Sequence, residues 1–425
     1  MYDLAVIGAG WAGFRAAIRA KELGLKVALI DKGQIGGTCL NRGCIPTKAL
    51  IQSAKVFSLS KKSQNFGIGI TNPAINFGQI QERKDKIIAQ LRSNIQSLLK
   101  GIDFIQEEAQ ILLNQEIKAG SQKIQTKSIL IATGSRPFEL KDIKFDGKKI
   151  ISSDDILQLK EIPRSLLIIG GGVIGCEFAS LFSCLGSQVS IVELTPQLLP
   201  SEDKEVARKL ENCLKKKGIK VNTATDAKTA DLNSYELVLV CVGRLPNTEG
   251  LGLEGLGIKL EKGKIAVDEY LRTSIPNIYA AGDVTGKIML AHFAAYQGEV
   301  AAENVVNPGK PKKADNQNIP NCIFTDPEIA SVGLKEEGAE EVNVSKFDFL
   351  GSGMARILDE TEGFIKIISD KKTGQVLGAS IIGPRATELI GILTLAVSNR
   401  LTISQIRDTI FAHPTLSEAI GEALK

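Results

Sequence analysis

Two cysteines, Cys39 and Cys44, stand five positions apart in Gly36-Gly37-Thr38-Cys39-Leu40-Asn41-Arg42-Gly43-Cys44-Ile45-Pro46-Thr47-Lys48. Paired thiols suit two-electron exchange with a disulfide or dithiol, if the backbone can bring them together. On an ideal helix this spacing gives about 7.5 Å of rise, beyond the roughly 4.4–6.8 Å between Cα atoms that a disulfide spans. A bridge therefore needs a distorted backbone; Gly43 permits one and Pro46 favours a break in the hydrogen bonding. A helix starting here also lowers a thiol pKa, and Arg42 adds a nearby cation. Two free, packed thiols remain the alternative. The chain has two histidines. His413 precedes Pro414, so its backbone is extended, and Glu418 is placed to orient the imidazole. Exchange of thiols near neutral pH needs such a proton acceptor. His292 falls in the apolar stretch Met289–Ala295 and reads as a core residue. Cys176, Cys184, Cys213, Cys241 and Cys322 read as small core residues.

The elements that position this chemistry come in two copies. Leu4-Ala5-Val6-Ile7 reads as a strand, followed by Gly8-Ala9-Gly10-Trp11-Ala12-Gly13, a helix over Phe14–Leu23, and a strand, Lys26–Ile30, ending in Asp31. Leu166–Ile169, Gly170-Gly171-Gly172-Val173-Ile174-Gly175, a helix over Cys176–Leu185 and the strand Gln188–Val192 ending in Glu193 repeat the pattern at the same spacing. Each is a dinucleotide-binding unit: Gly8, Gly10, Gly13 and Gly170, Gly172, Gly175 admit a pyrophosphate to backbone N–H groups at a helix N-terminus. Asp31 and Glu193 are placed to accept from ribose hydroxyls. A second echo closes each unit, a strand running into Gly134-Ser135-Arg136-Pro137 and into Gly243-Arg244-Leu245-Pro246. Two such sites in one chain point to electron transfer between two dinucleotides.

Composition agrees with an ordinary globular α/β chain. Over 425 residues, 43% are hydrophobic and 24% charged, which excludes a disordered or collagenous chain. A net charge of +4 leaves no basic footprint for nucleic acid. No apolar run is long enough for a membrane span, and the immediate opening into a strand leads us to expect no export leader. Seven cysteines are too few for a secreted disulfide framework, so we expect a cytoplasmic protein with mostly reduced thiols.

With these motifs in hand, the chain resembles the class I pyridine nucleotide-disulfide oxidoreductases. Gly36–Lys48, Ala281-Gly282-Asp283, Met289–His292, Phe324–Gly333 and His413-Pro414-Thr415-Leu416-Ser417-Glu418 carry the likeness, which is strongest to the members that oxidise dihydrolipoamide with NAD. The resemblance implies an α/β fold with two Rossmann-like domains, for FAD and NAD, and a C-terminal α+β dimerisation domain. It implies divisions at 1–142 (FAD), 143–264 (NAD), 265–314 (FAD and central part) and 315–425 (interface). FAD would sit on Gly8, Gly10, Gly13, Asp31, Gly134 and Asp283, and NAD on Gly170, Gly172, Gly175, Glu193 and Gly243; a carboxylate at Glu193 disfavours a 2′-phosphate. Cys39 would be the interchange thiol and Cys44 would face the flavin, near Lys48 paired with Glu177. The His413–Glu418 pair would serve the dithiol of the other subunit of a homodimer. The partner implied is a lipoyl-bearing carrier of a 2-oxo acid dehydrogenase or glycine cleavage complex. A family reductase of another disulfide or acceptor, and a mainly structural flavoprotein of such a complex, are the alternatives. The chain departs from the family in three ways. It is short, it has Asp31 where Glu is commoner, and it has only a brief polar stretch between Val221 and Glu236, where extra NAD-domain strands are usual. No metal site is expected.

Overall fold

The computed structural model describes residues 1–337 and 340–425. The first unit runs β1 (Tyr2–Ile7), α1 (Trp11–Glu22), β2 (Val27–Ile30), α2 (Gly37–Arg42), α3 (Cys44–Lys61), α4 (Phe77–Leu98), β3 (Asp103–Ile105), β4 (Ala109–Leu113), β5 (Glu116–Ala119), β6 (Gln122–Ile131) and β7 (Ser135–Pro137). The second runs β8 (Ile150–Ile151), β9 (Ser165–Ile169), α5 (Val173–Leu185), β10 (Gln188–Val192), α6 (Lys204–Lys216), β11 (Lys220–Asn222), β12 (Leu237–Val240) and β13 (Arg244–Pro246). A small hairpin, β14 (Leu260–Glu261) and β15 (Lys264–Ile265), leads to β16 (Ile278–Ala280) and α7 (Ala291–Val306). The C-terminal part holds β17 (Asn321–Ile323), β18 (Glu328–Gly333), β19 (Val342–Asp348), α8 (Gly353–Ile357), β20 (Phe364–Asp370), β21 (Val376–Gly383), α9 (Ala386–Ser398), α10 (Ile403–Arg407) and α11 (Glu418–Glu422).

Three sheets follow. The first has the order β3-β2-β1-β6-β5-β4, with β16 returning from far along the chain to pair in parallel with β6. Its β1 and β2 are buried on both faces, as their unbroken apolar runs require. The second, β11-β10-β9-β12-β8, is wholly parallel. The third, β17-β18-β21-β20-β19, is antiparallel and carries α9 across one face. The closing echoes of the two units meet directly, because β7 and β13 pair as an antiparallel ribbon, Ser135 opposite Pro246. A shared core joins the parts: Leu50 and Ile51 of α3, Phe178 and Phe182 of α5, Ile323, Phe364 and Ile382 lie in one apolar cluster.

One detail differs from the sequence reading and one agrees with it. Helices α1 and α5 begin at Trp11 and Val173, three residues before the expected starts, because the third glycine of each loop lies inside the first turn. Between β11 and β12 the chain makes only two single 3₁₀ turns, Ala227–Thr229 and Leu232–Ser234, capped by Asp226 and Asp231. The shortened edge expected there is therefore real. Ala227, Ala230, Leu232 and Tyr235 of this segment pack against the sheet, and the Tyr235 hydroxyl bonds Ser190 Oγ at 2.9 Å.

A side chain at Gly175 would collide with the carbonyl of Gly170, the contact that lets α5 approach β9. Gly175→Ala is expected to cost about 1–3 kcal/mol of stability. The measurement is a lowered urea midpoint at unchanged slope; a midpoint equal to the parent's would contradict this packing.

Candidate active site

The redox helix breaks where its sequence permits. Gly43, at φ −149° and ψ −116°, separates α2 from α3. There the hydrogen Gly43 carries in place of a side chain lets Thr38 and Cys39 close in, since a Cβ would lie 3.0 Å from the Thr38 carbonyl oxygen. Cys44 becomes the first residue of α3, among the unpaired N–H groups of its first turn. Both cysteines are thiols in this structure. They are unequal. The hydrogen bond from Cys39, with help from the Lys48 charge, lowers Cys44 to about 7, against burial and the Glu177 charge. Cys39 keeps its proton and is pushed up by that same bond and by burial.

Lys48 lies one helical turn after Cys44, so both share a face of α3. Its Nζ donates to both oxygens of Glu177, at 2.9 and 2.8 Å, and sits 4.7 Å from the centre of the Phe324 ring. Glu177, on α5 two residues beyond Gly175, is buried and also accepts from the Phe324 backbone N–H at 2.9 Å. Arg42, expected to act on the thiols, instead faces Asp154 at 3.5 Å; Lys48 is the cation that acts on Cys44.

The two glycine loops superpose in kind. Gly8 and Gly170 have φ of 105° and 110°, where a side chain would be strained. Gly10 and Gly172 cap α1 and α5 with nearly the same angles, φ −74° and ψ −173° or −171°. Side chains at Gly8, Gly13, Gly170 or Gly175 would strike backbone. Gly172 faces open space, and Gly10 meets nothing nearer than Gly37 Cα at 3.9 Å. Tight packing behind and open space in front is the cradle a pyrophosphate needs. Each acid secures its own loop: Asp31 accepts from Ala9 N at 2.6 Å and Gly33 N at 2.7 Å, Glu193 from Gly171 N at 2.6 Å and Thr195 N at 2.7 Å. A cavity of about 300 Å³ adjoins Gly8 and Asp31, and a cleft of about 760 Å³ adjoins Gly170, Gly172, Glu193 and Gly243. These residues fit FAD and a nicotinamide dinucleotide. Of the five other cysteines, Cys176 and Cys213 are buried as expected, whereas Cys241 lines the second cleft.

Between the loops Asp283, assigned to FAD by the resemblance, joins a polar cluster whose other members, Ser135 and Arg244, the sequence reading did not single out. Ser135 Oγ donates to Asp283 at 2.6 Å and accepts from Arg244 Nε at 2.8 Å; Arg244 also reaches the Ser135 carbonyl. Burial pushes the Arg244 guanidinium down, with Asp154 and Asp283 opposing. Asn247 ties both echoes together, its N–H donating to Gly134 O at 2.9 Å and its side chain to Thr133 O at 3.0 Å. The signal was available: Ser135-Arg136 and Arg244 follow corresponding glycines. His292, read from the sequence as a core residue, is instead exposed in the first turn of α7, because Phe293, Ala294 and Gln297 carry the buried face of that helix; partial desolvation still lowers its pKa.

His413 stands elsewhere. Its side chain is 81% exposed, with Nδ1 2.8 Å from Glu418 Oε1. The Thr415 N–H, then His413, holds Glu418 below its usual range. Among the described residues no hydrogen bond or ion pair joins His413 to Cys39 or Cys44, no cluster of metal-ligating side chains occurs, and no helix is long and apolar enough to cross a membrane.

Comparison with known proteins agrees with this arrangement. Residues 2–298 match the model of the pyridine nucleotide-disulphide oxidoreductases, and residues 319–424 match that family's dimerisation domain. The chain is 39% identical to a dihydrolipoyl dehydrogenase of Bacillus subtilis, covering 99% of this chain and 97% of the relative. It is 41% identical to one of Chlamydia trachomatis, covering 99% and 96%. Among solved structures it is similar to LpdA of Mycobacterium tuberculosis (TM-score 0.91, 29% identity, 99% of each chain). It is also similar to the HOCl-induced flavoprotein disulfide reductase RclA of Escherichia coli (TM-score 0.89, 29% identity, 100% and 99%).

Because the Lys48 charge favours the Cys44 thiolate, Lys48→Met removes that attraction and frees Glu177 to oppose it. The midpoint of the thiolate absorbance in the reduced protein should move up from about 7, by about one pH unit. A midpoint that stays or falls would rule out this coupling.

Proposed function

Because the chain belongs to the pyridine nucleotide-disulphide oxidoreductases, we propose that it oxidises protein-bound dihydrolipoamide to lipoamide and reduces NAD⁺, as a cytoplasmic homodimer. The family makes it an FAD-dependent disulfide oxidoreductase with NAD(H) as its second dinucleotide. The observation that carries the reading is geometric: the helix breaks at Gly43 so that Cys44 opens α3 just beyond Cys39, with the Lys48–Glu177 ion pair one turn further on the same face. Identity of about 40% to dihydrolipoyl dehydrogenases along the whole chain supports the choice of substrate.

In the oxidised enzyme a substrate thiolate attacks Cys39 Sγ, the Cys39–Cys44 bond breaks, and Cys44 departs as thiolate, a good leaving group because its pKa is low. The second substrate thiol then displaces Cys39, closing the lipoyl disulfide and leaving two reduced cysteines. His413 of one protomer takes up the released proton for the dithiol of its partner, held in place by Glu418. Bound FAD supplies the two-electron link from the dithiol to NAD⁺. Lys48, held in place by Glu177, stabilises the Cys44 thiolate while that link operates. Gly8, Gly10, Gly13, Asp31, Gly134 and Asp283 are assigned to FAD. Gly170, Gly172, Gly175, Glu193 and Gly243 are assigned to NAD, Glu193 repelling a 2′-phosphate.

The likeness to RclA favours one rival, a reductase of another disulfide or acceptor; rates from NADH to lipoamide, glutathione and quinones separate the two. Assignment of His413 to the partner's site is tested with mixed dimers. Cys39→Ser and His413→Gln homodimers should each lose about 10²–10⁴-fold in dihydrolipoamide oxidation. A dimer with one variant per chain keeps one intact site and should recover about half the parental rate. A mixed dimer as inactive as its parents would place the histidine in its own protomer's site and end the assignment.

A further inference from the structure

The strand β20 reads Phe364-Ile365-Lys366-Ile367-Ile368, and its one cation is 2% exposed. A buried ammonium is costly unless carboxylates surround it. Lys366 Nζ lies 3.1 Å from Asp203 Oδ2, 2.9 Å from Glu205 Oε2 and 2.6 Å from Glu336 Oε2. Asp203 and Glu205 belong to the second unit. Asp203 is fully buried and caps α6, accepting from Glu205 N at 2.9 Å and Val206 N at 3.1 Å. A lysine of the C-terminal sheet thus neutralises the cap of a helix in the dinucleotide-binding unit.

That cap ends the segment 194–203, whose Leu194, Thr195 and Pro200 wall the second cleft. The same segment rests on the glycine loop. Leu199 N–H donates to Gly171 O at 2.9 Å, and Leu198 fills the place where a Gly171 side chain would stand. Gly171 N–H in turn donates to Glu193. Leu199 holds a positive φ of 48°, a conformation a branched-chain residue adopts only where its surroundings fix it. Contacts therefore run from Lys366 to Asp203, through its chain neighbour Glu202, whose N–H donates to Leu199 O at 2.8 Å, and on through Leu199 to Gly171 and Glu193.

We propose that Lys366 is a positioning residue for the dinucleotide cleft: by holding Asp203 and Glu205 it fixes the 194–203 wall and, through it, the loop that carries Glu193. The C-terminal domain then serves the NAD site of its own chain as well as the dimer contact. This rests on the assignment of the second cleft to NAD(H).

The test uses full-length, flavin-loaded protein and ADP-ribose, a probe that binds the cleft without redox chemistry. Lys366→Met should weaken ADP-ribose binding by calorimetry, and raise the KM for NAD⁺, by about tenfold. Reduction by dithiothreitol, followed in the flavin spectrum, and kcat at saturating NAD⁺ should stay at parental values. If that variant does not fold, Asp203→Asn keeps the helix cap while removing the charge, and the same weakening is expected. Parental affinity in the folded variant, or a parallel loss of dithiol reduction, overturns the proposal. Failure of the parent to bind ADP-ribose would instead refute the assignment of the cleft.

Discussion

Glu177 is a carboxylate taken out of water at the junction of three parts of the chain, and a buried ion of that kind carries a desolvation penalty of several kcal/mol unless it is matched. Its partners come from all three parts: the Lys48 ammonium from the redox helix, the Phe324 N–H from the C-terminal part, and its own helix α5 from the second dinucleotide unit. Parting the redox helix from α5 would leave a buried charge unpaired, and withdrawing the C-terminal part would strip the carboxylate of the Phe324 hydrogen bond. The same constraint sets the chemistry. Lys48 is close enough to favour the Cys44 thiolate, and Glu177 tempers its charge. One ion pair thus fixes both how the parts dock and how readily the dithiol gives up a proton.

Duplication explains much of what surrounds that pair. The two loops share φ values, cap geometry and the carboxylate that ties the loop to the end of the second strand. The units differ in what a ligand meets. Asp31 is half-buried and short, while Glu193 is buried and has a second hold through the Thr195 hydroxyl at 2.7 Å. Pairing of β7 with β13 puts the ends of both units back to back, and the Ser135–Arg244–Asp283 cluster forms there because each unit contributes a polar residue after its glycine. Between β11 and β12 two capped 3₁₀ turns cover the sheet without further strands, and the loop–acid geometry is intact.

What was legible in the sequence was local. Glycine spacing, the acid after the second strand, the break at Gly43 and the pairing of His413 with Glu418 follow from short-range rules and appear in the fold as read. Helices α1 and α5 start a turn earlier than the pattern predicts, because the third glycine of each loop is the close-packed face of the helix. Arg42 was assigned to the thiols by nearness along the chain; Asp154, more than a hundred positions away, draws it off. Lys366 could be noticed as a cation in an apolar strand, but its partners Asp203, Glu205 and Glu336 are brought together only by tertiary packing. Long-range charge matching is what a single sequence conceals.

The placement of His413 suits the proposed dimer. A proton acceptor for thiol exchange must reach the reacting sulfurs, yet this imidazole points into solvent, held by Glu418, with Ile410 beside it 97% exposed. An exposed large apolar residue next to an oriented base suits a surface that a second copy covers. In a two-fold assembly the same patch appears twice and each copy meets the other's. Under the proposed assignment each histidine is oriented by Glu418 before association, and assembly completes two sites at once while a lone protomer completes none.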